Sequence, residues 1–155
     1  MPVMKARFYL ILSVLALLAG CGGGRKSALT YEDYASTSYS VDGARLLLNA
    51  NSIFESDRVT LKPEAVSILR ALFAQVNREY FTHINIFSHC DDALTEESAQ
   101  NITSYQAQVI AGYLWFRGIP SSDIEFKGRG FSEPIADLNT PESRYVNQRI
   151  EILLS

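Results

Sequence analysis

Residues 83–117 carry the pattern that most constrains the fold, a short alternating segment followed by a long amphipathic one. His83–Cys90 alternates between two faces and contains β-branched and aromatic residues, which predicts a strand. Glu96–Arg117 predicts a long helix, with these apolar positions at helical spacing: Ile102, Val109, Ile110, Tyr113 and Leu114. Gly118 ends this helix and Pro120 prevents its continuation. A strand joined to a helix of this length indicates a domain that combines both kinds of element.

Two segments before this unit predict another strand and another helix. Arg45–Phe54 alternates in part and is interpreted as the first strand. Pro63 and Glu64 begin the first helix, since proline needs no donor in the first turn and an acidic side chain complements the helix dipole. The apolar face of that helix consists of residues at helical spacing: Leu61, Ala65, Ile68, Leu69, Leu72 and Val76.

The C-terminal part of the chain predicts two more strands. These are Ile124–Lys127 and Arg149–Leu154, and the segment between them, residues 128–147, contains Gly, Pro and Asn and is interpreted as a loop. The predicted order of elements is β-α-β-α-β-β. We therefore expect an α+β sandwich whose helices pack on one face of a small mixed sheet.

The N-terminus has the composition of a secretory signal. Lys5 and Arg7 precede an apolar run, Phe8–Leu18, that is much shorter than the ~20 helical residues needed to cross a bilayer core of ~30 Å. The run continues through Leu-Ala-Gly to Cys21, which resembles the lipobox of bacterial lipoproteins. In that family the cysteine becomes the lipidated first residue of the mature protein. The resemblance implies a signal peptide over residues 1–20 and lipidation of Cys21, and the alternative is an ordinary signal peptide with a chance cysteine.

The charge of the chain bears on its partners and its location. The net charge is −3, and removal of residues 1–20, which hold two basic residues and no acidic ones, makes it −5. Such a domain does not attract nucleic acid or an anionic membrane surface, so attachment has to come from the lipid. Two or more acyl chains, such as palmitate, anchor a protein stably. Gly22 replaces the Asp that resembles an inner-membrane retention signal, so we expect an outer-membrane anchor and a periplasmic domain.

Cysteine usage and a linker complete the predicted domain organisation. The chain has two cysteines, so Cys90 has no disulfide partner if Cys21 is lipidated, and we expect Cys90 to be buried. Residues 21–44 are small, polar and without periodicity, which predicts a flexible tether to a domain over residues 45–155. The tyrosines of this segment leave open a second interpretation, in which the segment lies along a partner.

Several short motifs of the predicted domain occur together, in a fixed order. They are Phe54–Asp57 with Leu61–Ala65, Ser88–Asp91, Arg117–Pro120, Gly128–Gly130 with Glu133 and Pro134, and Asn147–Ile152. In this order they resemble the OmpA-like C-terminal domain of Pal-type lipoproteins, OmpA porins and flagellar motor stators. Two of these motifs match the family closely. The family has Gly-His-Thr-Asp at Ser88–Asp91 and Asn-Arg-Arg-Val-Glu-Ile at Asn147–Ile152. The resemblance covers residues 45–154.

The resemblance implies a ligand, the diaminopimelate of the peptidoglycan stem peptide. In the family, an Asp after the second strand binds the ammonium group of the ligand and an Arg on the second helix binds its carboxylate. The Asp corresponds to Asp91, whereas the Arg corresponds to Gln106. The ligand-binding positions that the resemblance predicts are these two and three others: Thr103, Asn147 and Arg149.

Departures from the family pattern weaken this predicted site. Gln106 is neutral and cannot pair with a carboxylate, and loss of a charged fork weakens affinity about tenfold or more. Gln148 replaces a second Arg, and Ala99 replaces an Asn on the helix. Leu94 replaces a Gly after the Asp, which disturbs the loop if that position requires a positive φ.

No other constellation of residues predicts chemistry. Five potential metal ligands lie close together in sequence: His83, His89, Cys90, Asp91 and Asp92. Strand alternation disfavours a shared metal, because it places Cys90 on the opposite face from both histidines. A catalytic triad of Ser88, His89 and Asp91 is disfavoured because adjacent strand residues point apart. We expect neither an enzyme nor a bound metal or cofactor.

Two hypotheses of function follow from the resemblance. In one, the protein is a Pal-like tether that joins the outer membrane to peptidoglycan. In the other, it is a structural component of a cell-envelope complex with a degenerate peptidoglycan site; lipoproteins with divergent OmpA-like domains occur in secretion assemblies, including the Dot/Icm type IVB apparatus. The loss of both Arg positions from a retained scaffold favours the second. We expect envelope-complex proteins as partners, weakened binding of peptidoglycan, and no nucleic acid.

Overall fold

The structure, a computed structural model, describes residues 35–40, 43–75, 81–137 and 140–155, the first of these ranges by its backbone alone. The predicted signal peptide, the predicted lipidation site at Cys21 and the tyrosines of the tether before residue 35 lie outside the described residues, as does Val76. None of the helices in the described part is long and apolar enough to cross a membrane.

The described residues form a mixed sheet with helices between its strands. The elements are β1 (Ala35–Ser40), β2 (Gly43–Asn49), α1 (Ala50–Ile53), α2 (Pro63–Gln75), β3 (Ile84–Ser88), α3 (Glu96–Phe116), β4 (Ile124–Gly128), α4 (Pro141–Asn147) and β5 (Arg149–Leu154). The strands lie in the order β1-β2-β5-β3-β4. Strands β3 and β4 are parallel, and the other neighbouring strands are antiparallel. The predicted α+β class and mixed sheet are confirmed.

One face of the sheet packs against α2 and α3. The central strands contribute alternate residues to a single apolar cluster: Leu46, Leu48, Ile84, Ile86, Ile150 and Ile152. The two helices contribute residues at helical spacing: Ala65, Leu69 and Leu72 from α2, and Ala107, Ile110 and Leu114 from α3. The helices therefore cover one face of the sheet, as predicted.

Helix α3 has the predicted length but buries a partly different face. Thr95 caps its first turn, since the hydroxyl accepts a hydrogen bond from the backbone nitrogen of Ser98 at 3.1 Å. After its last turn, Gly118 adopts a φ of 88°, which favours glycine. The buried positions are Ala99, Thr103, Gln106, Ala107, Ile110, Ala111 and Leu114. The predicted apolar face was therefore wrong in part, because small and polar side chains pack where the helix approaches the sheet, whereas Ile102, Val109 and Tyr113 are half-buried.

The N-terminal part of the domain differs from the prediction in two ways. The predicted strand Arg45–Phe54 ends at Asn49, because the Asn49 side chain accepts hydrogen bonds from the next backbone nitrogens and caps α1. Strand β1 lies within residues 21–44, which were assigned to the tether, and pairs with β2 so that Ala35 is opposite Leu48. Backbone pairing along the sheet edge is the reason for this difference.

The predicted loop over residues 128–147 contains a short helix, α4. Thr140 and Ser143 form a capping box, in which the Thr140 hydroxyl accepts from the backbone nitrogen of Ser143 at 3.1 Å. Pro141 occupies the first helical position, where its missing donor is not needed. The structure therefore has three elements, β1, α1 and α4, that the predicted order β-α-β-α-β-β lacks.

Candidate functional site

The predicted ligand site lies at one edge of the sheet, where β3 ends and β5 begins. Because these strands are antiparallel, with Ser88 opposite Ile150, the residues that follow β3 lie beside those that precede β5. The backbone nitrogen of His89 donates to the carbonyl of Arg149 at 2.8 Å and extends the pairing by one step. We call the polar residues gathered at this edge the loop-edge site: Arg58, Asp91, Asp92, Gln106, Asn147 and Gln148.

Asp91 is the negatively charged centre of the loop-edge site. Its side chain is half-buried, and its two carboxylate oxygens accept hydrogen bonds from Asn147 Nδ2 and Gln148 Nε2, each at 3.3 Å. No described residue forms an ion pair with it. Of the five residues predicted to bind ligand, Asp91 is the one that is not buried. Its charge is held by neutral donors and can accept a cationic group of a ligand.

Asn147 fixes both Asp91 and the loop that precedes α4. The Asn147 side chain is buried, and its Oδ1 accepts from the backbone nitrogens of Ile135 and Ala136 at 2.9 and 3.0 Å. Its Nδ2 donates to the Ala136 carbonyl at 3.0 Å as well as to Asp91. All hydrogen-bonding groups of this amide are therefore engaged within the protein.

Arg149 is also engaged within the protein. Its buried guanidinium donates from Nε to Glu151 Oε1 at 2.7 Å and from Nη2 to the Glu133 carbonyl at 2.9 Å. Arg45 pairs with the second carboxylate oxygen of Glu151 at 3.0 Å. Burial acts to raise the pKa of Glu151, but the hydrogen bond and charge of Arg149, with those of Arg45, outweigh it and hold the pKa below its usual value. Arg149 thus stabilises the sheet beneath the site.

His89 lies next to this ion-pair cluster and is 2% exposed. Its Nδ1 is 3.0 Å from the carbonyl oxygen of Ser132, and its Nε2 is 3.7 Å from Glu151. Burial is the main cause that holds the pKa of His89 below its usual value; the Ser132 carbonyl acts in the opposite direction. A buried, hydrogen-bonded histidine of this kind is a structural residue of the loop.

Thr103 joins helix α3 to the loop after β4. Its hydroxyl donates to the Ala99 carbonyl at 2.8 Å and accepts from the backbone nitrogen of Gly130 at 3.0 Å. The helix approaches the strand so closely that a Cβ at Gly128 would lie 2.4 Å from the Ser104 nitrogen, which explains the glycine. Thr103 is completely buried, so it shapes the site from below.

Gln106 and Ser88, where the resemblance predicts other residues, are joined by a hydrogen bond. The Ser88 hydroxyl donates to Gln106 Oε1 at 2.6 Å, and Gln106 Nε2 donates to the carbonyl of Arg58 at 2.9 Å. Gln106 is 1% exposed. The residue at the position of the helix arginine is therefore an internal bridge between β3 and the loop before α2.

The structure adds to the site Arg58, which sequence reasoning missed. Its Nη2 forms an ion pair with Asp92 Oδ1 at 2.6 Å. Arg58 lies in the loop between α1 and α2 and reaches the loop after β3 only through the fold. The one sequence signal for it was a cation directly after the Phe54–Asp57 motif, which does not by itself indicate a partner.

Two expectations about the loop after β3 can be compared with the structure. Cys90 is buried, as predicted, and burial raises the pKa of its thiol, with the charge of Arg58 acting in the opposite direction. Leu94 is not among the described residues with a positive φ, so it replaces glycine without backbone strain. Its side chain is almost fully exposed.

Within the described ranges, no three His, Cys, Asp or Glu side chains are grouped so that they could hold a metal ion.

Comparison with known proteins identifies the family of this chain. The model of the OmpA family matches residues 53–148. The chain belongs to the OmpA family. The probable lipoprotein YiaD of Escherichia coli is 32% identical over 116 residues, which cover 73% of this chain and 52% of YiaD. The peptidoglycan-binding protein ArfA of Mycobacterium tuberculosis is 28% identical over 102 residues, which cover 66% of this chain and 31% of ArfA.

A solved structure has the same fold as this chain. The cell wall anchor of the T6SS from Pseudomonas aeruginosa superposes with a TM-score of 0.71 at 19% identity, over 79% of this chain and 88% of that chain. The chain spans about half the length of the first curated relatives that it matches. The shared part is thus the OmpA-like domain that contains the loop-edge site.

Proposed function

We propose that this protein is a non-catalytic outer-membrane lipoprotein whose periplasmic OmpA-like domain is a structural component of a cell-envelope complex. Its membership of the OmpA family and its similarity to a protein named as a lipoprotein support an envelope role. The lipobox-like sequence at Cys21 supports the lipid anchor, and Gly22 supports the outer membrane. A type IV secretion apparatus is the kind of complex that we propose.

The observation that carries this proposal is the burial and hydrogen bonding of the Gln106 side chain. It occupies the position of the ligand-binding arginine, yet it is buried and both its amide atoms are engaged with Ser88 and Arg58. Helix α3 therefore presents no cation to a ligand at this position. The scaffold is retained while the helix side of the peptidoglycan site is degenerate, which is the pattern expected of a domain with a structural role.

The two cysteines allow a matched test of the anchor and the complex. We expect the full chain to fractionate with the outer membrane and the Cys21→Ser variant to lose this association or remain unprocessed. Cys90→Ser is the control, because Cys90 is buried in the domain and should not affect the anchor. Native gels of detergent-solubilised membranes should show the protein in a species much larger than its 17.3 kDa mass. Migration as a monomer, or unchanged fractionation of Cys21→Ser, would contradict the proposal.

A second candidate function is a tether to the cell wall. It is favoured by Asp91, which keeps the family position, is partly exposed and has no cationic partner among the described residues. One relative is named as a peptidoglycan-binding protein and one similar structure as a cell wall anchor. Cosedimentation with insoluble peptidoglycan sacculi tests this function separately from the anchor and the complex.

A further inference from the structure

Strand β4 lies at an open edge of the sheet. In the sheet that the described residues form, its one neighbour is β3, to which it is parallel. The backbone nitrogen of Arg129 donates to the carbonyl of Ser88 at 2.8 Å, so the odd-numbered residues of β4 are the ones that bond to β3. The backbone groups of Ile124 and Phe126 therefore point away from the sheet. An edge of this kind is a template for pairing with a further strand.

The helix-covered side of this edge carries exposed aromatic residues. Ile124 and Phe126 line one side of a shallow groove of about 210 Å³, and Trp115 of α3 lines the other side. Trp115 is 66% exposed and Phe126 is 48% exposed, although both are large and apolar in the main. Large aromatic side chains that are grouped beside an open strand mark an interaction surface.

The other side of β4 carries two opposite charges that make the strand complementary to itself. Glu125 and Lys127 flank Phe126 and are exposed. Within the described part of the chain, neither of them forms an ion pair. When two copies of β4 run antiparallel with their Phe126 residues opposite each other, Glu125 of each copy lies opposite Lys127 of the other copy.

The backbone pattern of β4 fits the same register. In an antiparallel ladder, pairs that exchange two hydrogen bonds alternate with pairs that do not, and side chains are closer in the second kind. Phe126 has outward backbone groups, so the two Phe126 residues form a hydrogen-bonded pair on the two-fold axis. Glu125 and Lys127 then form pairs of the second kind, where opposite charges stabilise the pairing and like charges destabilise it.

We propose that two copies of this chain dimerise through β4, which pairs antiparallel with β4 of the second copy and joins the two sheets into one. The same surface of both copies forms the interface, so the assembly is closed by a two-fold axis. Trp115 and Phe126 are buried at this interface, and Glu125 and Lys127 form two ion pairs across it. None of these residues belongs to the loop-edge site, and the inference goes beyond the structural role proposed above because it names a partner surface.

Charge reversal tests the partner and the register. Sedimentation equilibrium of the purified full chain, in detergent matched in density to the solvent, should show a dimer. Lys127→Glu and Glu125→Lys should each raise the dimer dissociation constant about tenfold or more, because each places like charges opposite each other twice. An equimolar mixture of these two variants should recover dimers, because opposite charges then meet at both pairs. Arg70→Glu, an equal change of charge at an exposed position of α2, is the matched control for Lys127→Glu and should dimerise as the unmodified chain does.

A pair of aromatic variants tests the groove. Trp115→Ala should weaken the dimer, whereas Phe116→Ala is the matched control, because Phe116 is 83% exposed but does not line the groove. The urea unfolding midpoint of each variant reports its folding. Equal dimerisation of the two folded aromatic variants would overturn the role given to Trp115.

Three results would overturn the proposed dimer as a whole. They are a full chain that stays monomeric at every concentration, a folded Lys127→Glu variant that dimerises as tightly as the unmodified chain, and a mixture of the two charge variants that dimerises no better than each alone. The first result would leave the edge of β4 to a strand of another protein. All three are measured on the purified chain, so they are distinguishable from failure of the proposed function, which is measured in membranes.

Discussion

The helix-covered face of the sheet and the loop-edge site are built in different ways. The face is apolar, and its residues follow the local spacing of strands and helices. The loop-edge site is polar, and its bonds join residues that are far apart in sequence: Gln106 and Arg58 are separated by 48 residues, and Asn147 and Asp91 by 56. Local spacing determines the first region, and the complete fold is needed to form the second.

This difference predicts that the loop-edge site accepts substitutions more readily than the apolar face does. The apolar face tolerates little change, because removal of buried methylene groups leaves cavities. Beneath the loop-edge site, Ser88 and Gln106 stand where the family resemblance predicts other residues, and the Ser88 hydroxyl donates a hydrogen bond to Gln106. The pair satisfies its own polar groups, which a single apolar replacement at either position would leave without a partner.

The largest effect is expected on the helix-covered face. Ile152 is completely buried at the centre of β5, so Ile152→Ala should lower the free energy of unfolding by about 2–5 kcal/mol through lost burial and a residual cavity. Leu153→Ala is the control, because Leu153 is half-buried on the opposite face and should cost clearly less. Urea unfolding measures both. Equal losses would show that the two faces of the sheet do not differ as described.

A smaller effect is expected at the bridge between the two regions. Gln106→Leu should lower the free energy of unfolding by about 1–3 kcal/mol, because it leaves the Ser88 hydroxyl and the Arg58 carbonyl without their partner. The double variant Ser88→Ala with Gln106→Leu should recover part of this loss. Urea unfolding of the two single variants and the double variant checks the coupling, and strictly additive losses would contradict it.

A still smaller effect is a dependence of stability on pH through His89. Burial holds its pKa in the folded protein below 6.5, so the unfolded chain binds the proton more tightly. The stability that results is present above pH 6.5 and is lost as the pH falls below that value. The urea midpoint should therefore fall between pH 7.5 and 5.5, and it should fall less in His89→Gln. The exposed His83→Gln control should keep the full decrease; an equal decrease in His89→Gln would contradict this origin.

Much of the scaffold was predictable because its signals are local. Arg149–Leu154 was predicted with its observed bounds, and α3 ends one residue before the predicted Arg117. The errors arose where side chains or distant strands override spacing. Asn49 ends β2 by capping α1, Thr140 and Ser143 start α4 within a predicted loop, and β1 exists by pairing with β2.

The site was predictable from the sequence only at Asp91, which lies within a motif that matches the family. Asp91 follows a strand within a recognisable motif, so its position at the sheet edge followed from the sequence. Arg58 did not, because no spacing connects it to Asp92 or Gln106 before the chain folds. The burial of Gln106 was missed for the same reason, since its partners come from β3 and from the loop before α2.

The central claim is that this chain keeps the OmpA-like scaffold while we propose that the helix side of its peptidoglycan site is degenerate. Cosedimentation of the full chain with insoluble peptidoglycan sacculi, compared with Gln106→Arg, tests this claim most directly. We predict that the unmodified chain binds the sacculi weakly and that a folded Gln106→Arg variant binds about tenfold or more tightly, because arginine supplies a charged donor at the helix position. Equal binding by the two folded proteins would contradict the claim.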